Sequence, residues 1–245
     1  MIKTTIKTLL LLLVINSQPL LADNIGLLIT ATGKYIQYVD PLIESAEKHF
    51  CKEHKVTYFI FTDSNLPSTE NTIYLPHNRL GWPFDTMMRF EAYLNERDLL
   101  EQQDYLFCCD ADMLFVGEVG SEILSDLVAT QHPGFVSKRG SYETDPRSTA
   151  CINDHEGEIY FAGGFYGGNS TCVMDLCQTN VEHIHQDLSQ GIIAVWHDES
   201  HLNRYFVDNL PTKILNPSYC YPESWDLPYA KKLLALDKNH SEMRE

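Results

Sequence analysis

Short apolar runs alternate with amphipathic segments along most of the chain. Four runs have the length and composition of buried strands, at residues 25–31, 56–62, 105–109 and 159–168. Helical spacing of apolar residues, or a capping pattern, predicts helices after Asp40, at residues 84–97, 120–128 and 173–188, and from Asp198 onward. Strands that alternate with helices in this way predict an α/β fold, and no linker or internal repeat divides the chain.

The first 22 residues follow a different pattern. Lys3 and Lys7 precede an apolar run at residues 9–15, and a short polar stretch then leads to Ala22. This order is typical of a signal peptide, because the apolar run is shorter than the roughly 20 residues that span a bilayer. We therefore expect residues 1–22 to be a signal peptide or a short signal anchor, residues 23–245 to form one domain, and the protein to be exported or membrane-associated in a secretory pathway.

Composition narrows the range of partners. The chain has 245 residues, with 34 acidic against 18 basic ones, so its net charge is -16. Such a charge repels a phosphate backbone, which excludes nucleic acid as a partner. Seven cysteines are an odd number, and no CxxC pair is present, so we expect most of them to be small buried hydrophobic residues.

Two carboxylates, Asp110 and Asp112, follow the strand predicted at residues 105–109. Residues i and i+2 of an extended chain point to the same side, so both carboxylates would face one cation. Oxygen ligands suit Mg²⁺ or Mn²⁺, which proteins usually bind together with substrate phosphates. Ligands of open α/β sheets also collect at the carboxyl ends of strands. The alternative interpretation is a turn with solvated acids.

A second group of polar residues begins with Trp196 and includes Asp198, Glu199 and two histidines. The two acids would lie in the first turn of a helix, where the helix dipole favours them. His197 and His201 are four residues apart, which is the spacing of a zinc-dependent hydrolase, although no third ligand is evident. A zinc hydrolase is therefore the alternative enzyme, and a glycan-binding module without catalysis is the other alternative.

Together these motifs resemble glycosyltransferase family 6, which contains the blood-group A and B transferases. The resemblance covers residues 24–244 through TGKY (32–35), SAEKHF (45–50), LGWPFDTMMRF (80–90), YLFCCDADMLF (105–115), HPGF (132–135), GGFYGG (163–168), AVWHDESHLN (194–203) and KNH (238–240). It implies a GT-A fold, with a mixed central sheet in a single domain.

The resemblance also implies an activity and a set of residue roles. The activity is retaining transfer of galactose or N-acetylgalactosamine from UDP-Gal or UDP-GalNAc, in α1,3 linkage, to a galactose-containing acceptor such as a fucosylated glycan. The metal ligands for Mn²⁺, or Mg²⁺ in its place, would be Asp110 and Asp112. The UDP contacts would be Thr30, Ala31, Thr32, Tyr35, Ala111, Lys238 and Arg244. The donor-sugar contacts would be Arg89, Ala162, Gly163, Gly164 and Asp198. The acceptor contacts would be His132, Ser141, Trp196 and Glu199, and Glu199 would also be the catalytic carboxylate facing the anomeric carbon.

Departures from the family pattern affect two of these expectations. Bacterial relatives commonly carry N-x-N where this chain has Asp110 and Asp112, so metal dependence is predicted here. Relatives often carry two arginines where this chain has Thr144 and Asp145. The contacts that this loop is expected to make with the acceptor therefore differ. Glycine at position 164 leaves room for an N-acetyl group, so we expect UDP-GalNAc to be preferred over UDP-Gal.

Overall fold

The computed structural model describes residues 22–244, so the expected signal segment lies outside the described residues except for Ala22. The strands are β1 (Asn24–Thr30), β2 (Lys55–Thr62), β3 (Thr72–Pro76), β4 (Tyr105–Asp110), β5 (Met113–Phe115), β6 (Leu127–Gln131), β7 (Phe161–Asn169), β8 (Lys213–Leu215), β9 (Tyr221–Pro222) and β10 (Leu233–Ala235). The α-helices are α1 (Val39–His49), α2 (Phe84–Met87), α3 (Arg89–Asn95), α4 (Arg97–Leu100), α5 (Ser170–Ser189), α6 (Asp198–Asp208) and α7 (His240–Arg244).

A seven-stranded sheet forms the centre of the part that the structure describes, in the order β3-β2-β1-β4-β7-β6-β8. β1 pairs in parallel with β2 and β4, whereas β7 runs antiparallel to both β4 and β6. A smaller sheet of order β5-β10-β9 lies beside it. The predicted α/β class with a mixed central sheet is confirmed.

Both faces of β1, β2 and β4 are buried, and this explains why these strands appear as continuous apolar runs. Along β1, Leu27 packs into the hydrophobic cluster on the α1 side together with Leu42. The next residue, Leu28, packs into the opposite cluster with Phe90 of α3 and Val173 of α5. A strand that is buried on both faces does not alternate apolar and polar residues, which is typical of parallel strands covered by helices.

Two glycines of β7 let neighbouring backbone approach closely. A Cβ atom at Gly167 would lie 2.2 Å from the carbonyl oxygen of Leu106 in β4. One at Gly168, whose φ is +151°, would lie 2.1 Å from the carbonyl oxygen of Asp126. In the register of β4 and β7, Cys109 pairs with Phe165. The chain after Cys109 therefore lies beside Gly164 and Gly163, the first two glycines of β7.

Two helix predictions were wrong in their bounds. The helix expected at residues 84–97 is broken into α2, α3 and α4, with breaks at Met88 and Glu96. Helical structure also starts before Asp40, because a 3₁₀ helix at Gly33–Tyr38 leads directly into α1. Asp40 therefore lies in the first turn of α1 and is not its cap.

The helix expected at residues 120–128 was largely wrong. A 3₁₀ helix covers Ser121–Ile123, and the chain then enters β6, where Leu127 and Val128 pair with Gly168 and Gly167 of β7. Pairing with a distant strand overrides the local preference, as is common for short apolar segments.

The connection between β6 and β7 is irregular, and polar groups tie it to the rest of the domain. The buried carboxylate of Asp187 accepts hydrogen bonds from the Ser148 hydroxyl (2.5 Å) and from the Thr149 amide (2.7 Å). The Glu143 carboxylate accepts one from the Val195 amide (2.8 Å). The connection is therefore fixed both to the end of α5 and to the segment that precedes α6.

The cysteines fit the expectation from the sequence. All seven are free thiols, and Cys51, Cys108, Cys109 and Cys177 are buried. Among residues 22–244, none of the helices has both the length and the apolar character that crossing a membrane requires.

Gly167→Ala tests whether the close approach of β7 to β4 is required. The added methyl group would overlap the Leu106 carbonyl, which is backbone, so we expect the free energy of unfolding to fall by roughly 3 kcal/mol. Gly120→Ala is the matched control, because its Cβ would lie 3.3 Å from a carboxylate oxygen at the end of the Glu122 side chain. Urea unfolding of the two variants is the measurement, and equal midpoints would contradict the packing argument.

Candidate active site

A pocket of about 390 Å³ opens at the carboxyl ends of β1 and β4. This is the edge at which open α/β sheets bind their ligands. The predicted site residues that line it are Thr30, Thr32, Tyr35, Arg89, Asp110, Ala111, Asp112, Gly163, Trp196, Asp198, Glu199 and Lys238. The lining residues that were not among the predicted site residues are Arg79, Trp82, Asp85, Thr86, His240 and Met243, and His197 was considered only as part of the alternative zinc pair.

The guanidinium of Arg89 lies between two carboxylates at the floor of the pocket. It donates to Asp110 Oδ1 (2.8 Å), and its Nε lies 3.3 Å from Asp198 Oδ2. Burial lowers the pKa of Arg89, but Asp198 and Asp110 more than offset this, so the pKa ends well above its ordinary value. Arg89 therefore stays charged and fixes both carboxylates in place.

Asp110 and Asp112 both line the pocket, although the predicted geometry was wrong. β4 ends at Asp110, and the chain then turns through Ala111 and Asp112 before β5 begins. The two carboxylates are thus brought together by a turn and not by the alternation of an extended strand. The buried carboxylate of Asp112 forms an ion pair with the ammonium of Lys238.

The surroundings of Asp110 and Asp112 show whether their carboxylates suit a divalent cation. Asp110 keeps 37% of its side-chain surface exposed, and Asp112 already holds a cation, the Lys238 ammonium. Within residues 22–244, no three or more His, Cys, Asp or Glu side chains are grouped so as to hold a metal ion. The carboxylate oxygens fit a hard dication such as Mn²⁺ or Mg²⁺, provided that a diphosphate and water complete its ligands.

Glu199 is held at both carboxylate oxygens. Its Oε1 accepts a hydrogen bond from the Tyr160 hydroxyl (2.7 Å), and its Oε2 accepts one from the Gly163 amide (2.8 Å). Burial raises the pKa of Glu199 to about 7; the two hydrogen bonds act against this, and Asp198 and Asp110 add to it. A carboxyl group with a pKa near neutrality is typical of a group that takes part in catalysis.

The segment before α6 sets the direction of its first turn. His197 has a φ of +54°, a left-handed conformation that is costly for a residue with a side chain. The backbone just before it is fixed, because the Val195 amide donates to Glu143 and the Trp196 amide donates to Ser200 Oγ (3.0 Å). This sharp turn directs Asp198 and Glu199 into the pocket.

The two histidines of the predicted zinc pair do not meet. His197 lines the pocket, and its ring lies edge-on to Trp82 at 4.8 Å. His201 is buried, its Nε2 is 3.8 Å from Asp187 Oδ2, and burial lowers its pKa to about 4. The left-handed turn at His197 places the first histidine outside the helix, so the i, i+4 geometry is lost. The arrangement gives the zinc-hydrolase alternative no support.

The part of the pocket that contains the predicted UDP contacts is formed by β1 and the C-terminal segment. Lys238 Nζ lies 5.6 Å from the centre of the Tyr35 ring. α7 packs on the 3₁₀ helix at Gly33–Tyr38, where Lys34 Nζ donates to the carbonyl of Glu242 (2.7 Å). Two further UDP contacts were predicted: Ala31 is fully buried, and Arg244 is the last residue of α7. Backbone contact at Ala31 and a diphosphate contact at Arg244 stay predictions.

The acceptor residues predicted from the sequence fall into two groups. Trp196 and Glu199 line the pocket, whereas His132 and Ser141 do not. His132 lies behind Glu199, with its ring 5.6 Å from that of Tyr160. Burial lowers the pKa of His132 to about 4, and its Nδ1 accepts a hydrogen bond from the Gly134 amide. His132 is therefore a neutral imidazole with its proton on Nε2.

The donor-sugar segment of β7 differs from the prediction. Gly163 lines the pocket, whereas Ala162 is buried and Gly164 does not line it. A Cβ at Gly164 would lie 3.1 Å from Cys220 Sγ and 3.3 Å from Met113 Sδ. Two sulfur atoms thus lie beside the position that a side chain at residue 164 would take, and the preference for UDP-GalNAc stays a prediction.

Comparison with known proteins agrees with this geometry. The sequence model of glycosyltransferase family 6 matches residues 12–245. The chain is 38% identical over 249 residues to histo-blood group ABO system transferase 1 of Rattus norvegicus, with 94% of this chain and 72% of that protein covered. It is 35% identical over 239 residues to globoside alpha-1,3-N-acetylgalactosaminyltransferase 1 of Homo sapiens, with 90% and 68% covered. It is 29% identical over 222 residues to O-antigen biosynthesis glycosyltransferase WbnI of Escherichia coli, with 87% and 94% covered.

The predicted family is thus confirmed by a match over most of the chain, and the mixed α/β sheet with a pocket at its carboxyl edge agrees with a GT-A type fold. The chain belongs to glycosyltransferase family 6.

Proposed function

We propose that this hexosyltransferase moves N-acetylgalactosamine from UDP-GalNAc, or galactose from UDP-Gal, to a galactose-containing acceptor in α1,3 linkage with retention at the anomeric carbon. One observation carries the proposal: a single pocket holds the anchored Glu199 carboxylate together with the carboxylates of Asp110 and Asp112. This arrangement offers one carboxylate for the anomeric carbon, as in retaining hydrolases, and a separate set of groups for the leaving diphosphate.

On the donor side, Asp110 and Asp112 would hold Mn²⁺, or Mg²⁺ in its place, together with the diphosphate. A bound dication supplies electrostatic stabilisation for the negative charge of the leaving UDP. Lys238 would add a second cation, because its ammonium already lies against Asp112 and near the Tyr35 ring. Tyr35 would place its ring beside the uracil.

At the sugar, ionised Glu199 would act on the anomeric carbon. It would either form a covalent glycosyl–enzyme bond or stabilise the oxocarbenium-like transition state while the acceptor attacks from the side of the leaving UDP. Both routes retain configuration, and both require the carboxylate to be ionised and correctly aimed. Asp198, fixed by Arg89, lies next to it and would contact the donor sugar.

The choice of sugar rests on the relatives. The human relative is named for transfer of N-acetylgalactosamine in α1,3 linkage, and it is 35% identical to this chain. This similarity supports UDP-GalNAc as the preferred donor, since the packing at Gly164 does not discriminate between the two sugars. A galactoside that carries fucose is the acceptor to test first.

A donor-by-metal assay tests the proposal and the role of the acidic pair. We expect UDP release from UDP-GalNAc to require Mn²⁺ or Mg²⁺ and to stop in EDTA, because the carboxylates alone leave the diphosphate charge unbalanced. Asp110→Asn and Asp112→Asn should each lower kcat by about 100-fold or more, the scale expected when a charge that acts in the transition state is lost. The exposed Asp154→Asn is the matched control and should keep full activity.

Activity that survives EDTA and both substitutions would contradict the proposal that Asp110 and Asp112 hold a metal ion. Glycan binding with no turnover of UDP-GalNAc or UDP-Gal would favour the non-catalytic module instead.

The pKa of Glu199 predicts a pH dependence. Its protonated form cannot attack or stabilise a cation, so activity should be lost as the pH falls through the pKa of about 7. Measured as kcat/KM for the donor, activity should fall about tenfold per pH unit on the acid side and level off on the alkaline side. Asp110 contributes to the raised pKa of Glu199, so a dication bound at Asp110 should lower that pKa. The loss of activity should then occur at a lower pH. Glu199→Gln should abolish the limb together with most of the activity, and an unchanged pH profile in that variant would contradict the assignment.

A further inference from the structure

Tyr160 lies behind the pocket, yet it makes one of the two hydrogen bonds that hold Glu199. Its hydroxyl donates to Glu199 Oε1 at 2.7 Å, while the Gly163 amide donates to Oε2 at 2.8 Å. The ring is 2% exposed, and Tyr160 is not among the residues that line the pocket. Tyr160 therefore acts on Glu199 without reaching the substrate.

The position of the Tyr160 hydroxyl is itself tightly determined. The ring packs against Phe135 at 4.8 Å and Tyr142 at 5.0 Å between ring centres. The backbone is fixed as well, because the carbonyl of Tyr160 accepts a hydrogen bond from the His132 amide (2.8 Å). Gly140 runs across the ring so closely that a Cβ there would lie 2.1 Å from Tyr160 Cδ2. These contacts leave the hydroxyl one direction in which to point.

The groups around Glu199 disfavour its ionised form, so the carboxylate depends on its hydrogen bonds to keep one orientation. Asp198 is its neighbour in the chain, and Asp110 is a second negative charge whose field reaches it. Arg89, the nearby cation of the pocket floor, is engaged with these two aspartates. The donors to Glu199, a hydroxyl and an amide, are both neutral. Loss of either one leaves a partly buried carboxylate oxygen without its partner, which favours rotation of the side chain.

We propose that Tyr160 is a positioning residue for glycosyl transfer, whose hydroxyl holds the Glu199 carboxylate in the orientation that faces the anomeric carbon. The inference rests on the proposed role of Glu199 and extends it to a residue outside the pocket. It also links the connection between β6 and β7 to the reaction, because the rings of Phe135 and Tyr142 hold Tyr160 in place.

The test compares Tyr160→Phe with Tyr142→Phe. Both variants remove one hydroxyl from the same aromatic cluster, but the Tyr142 hydroxyl donates to the carbonyl of Gly157 (2.9 Å) and not to Glu199. We expect Tyr160→Phe to lower kcat by about 10- to 100-fold, the scale of a misplacement near 1 Å. The donor KM and the Kd of UDP should stay within about twofold, because the donor contacts are intact. Tyr142→Phe should keep kcat within about twofold.

Two further measurements separate positioning from folding and from the proposed function. Urea unfolding midpoints show whether either variant is less stable, and crystal structures without substrate show where the Glu199 carboxylate lies. We expect this carboxylate to leave the Gly163 amide in Tyr160→Phe and to stay there in Tyr142→Phe. Equal losses of kcat in both variants, or an unmoved Glu199 with full kcat in Tyr160→Phe, would overturn the inference. Absence of transfer by the unmodified protein would instead reject the proposed function, while the two crystal structures would still test whether Tyr160 holds Glu199.

Discussion

A buried guanidinium between two carboxylates is the interaction on which the site depends. Arg89 is the first residue of α3, Asp110 is the last of β4, and Asp198 is the first of α6, so one side chain joins three elements. The break at Met88 lets a new helix begin with Arg89 directed at the sheet. Removal of one partner from such a buried group leaves an uncompensated charge, which typically costs about 3–5 kcal/mol. The local structure of all three elements is therefore coupled to the position of Arg89.

Adjacent acids at the start of α6 have different environments because of this arrangement. Asp198 faces a guanidinium that stays charged, whereas the donors to Glu199 are the neutral hydroxyl of Tyr160 and the amide of Gly163. Neutral donors offset burial only in part, so the pKa of Glu199 rises to about 7. Two carboxylates next to each other thus differ in environment, as in other enzymes that use paired acids.

Much of the fold could be predicted from the sequence because burial leaves a local signal. β1, β2 and β4 are apolar on both faces, and α5 has a long apolar stripe, so their residues alone indicate the elements. β6 could not be predicted in this way, since its strand conformation depends on pairing with distant glycines of β7.

The same distinction separates the site residues that the sequence indicated from those it missed. Asp110 and Asp112 stand out because they follow a buried strand, whereas the roles of Asp198 and Glu199 were taken from the family resemblance. Tyr160 has no such signal, because its role arises from contact with a carboxylate 39 residues later in the chain. The roles of Lys238 and Arg244 rested on family resemblance. For Lys238, the ion pair with Asp112 now adds a physical reason, since it places the cation in the pocket.

The charge balance of the pocket supports the proposal that a dication takes part in the transfer. The charged residues that line the pocket are the acids Asp85, Asp110, Asp112, Asp198 and Glu199 and the cations Arg79, Arg89 and Lys238. Arg89 and Lys238 already compensate carboxylates, and the whole chain carries -16. A diphosphate adds further negative charge to a region that is acidic before it binds. A dication held by Asp110 and Asp112 would supply two positive charges against this negative charge. This electrostatic requirement argues for a metal more strongly than the number of protein ligands does.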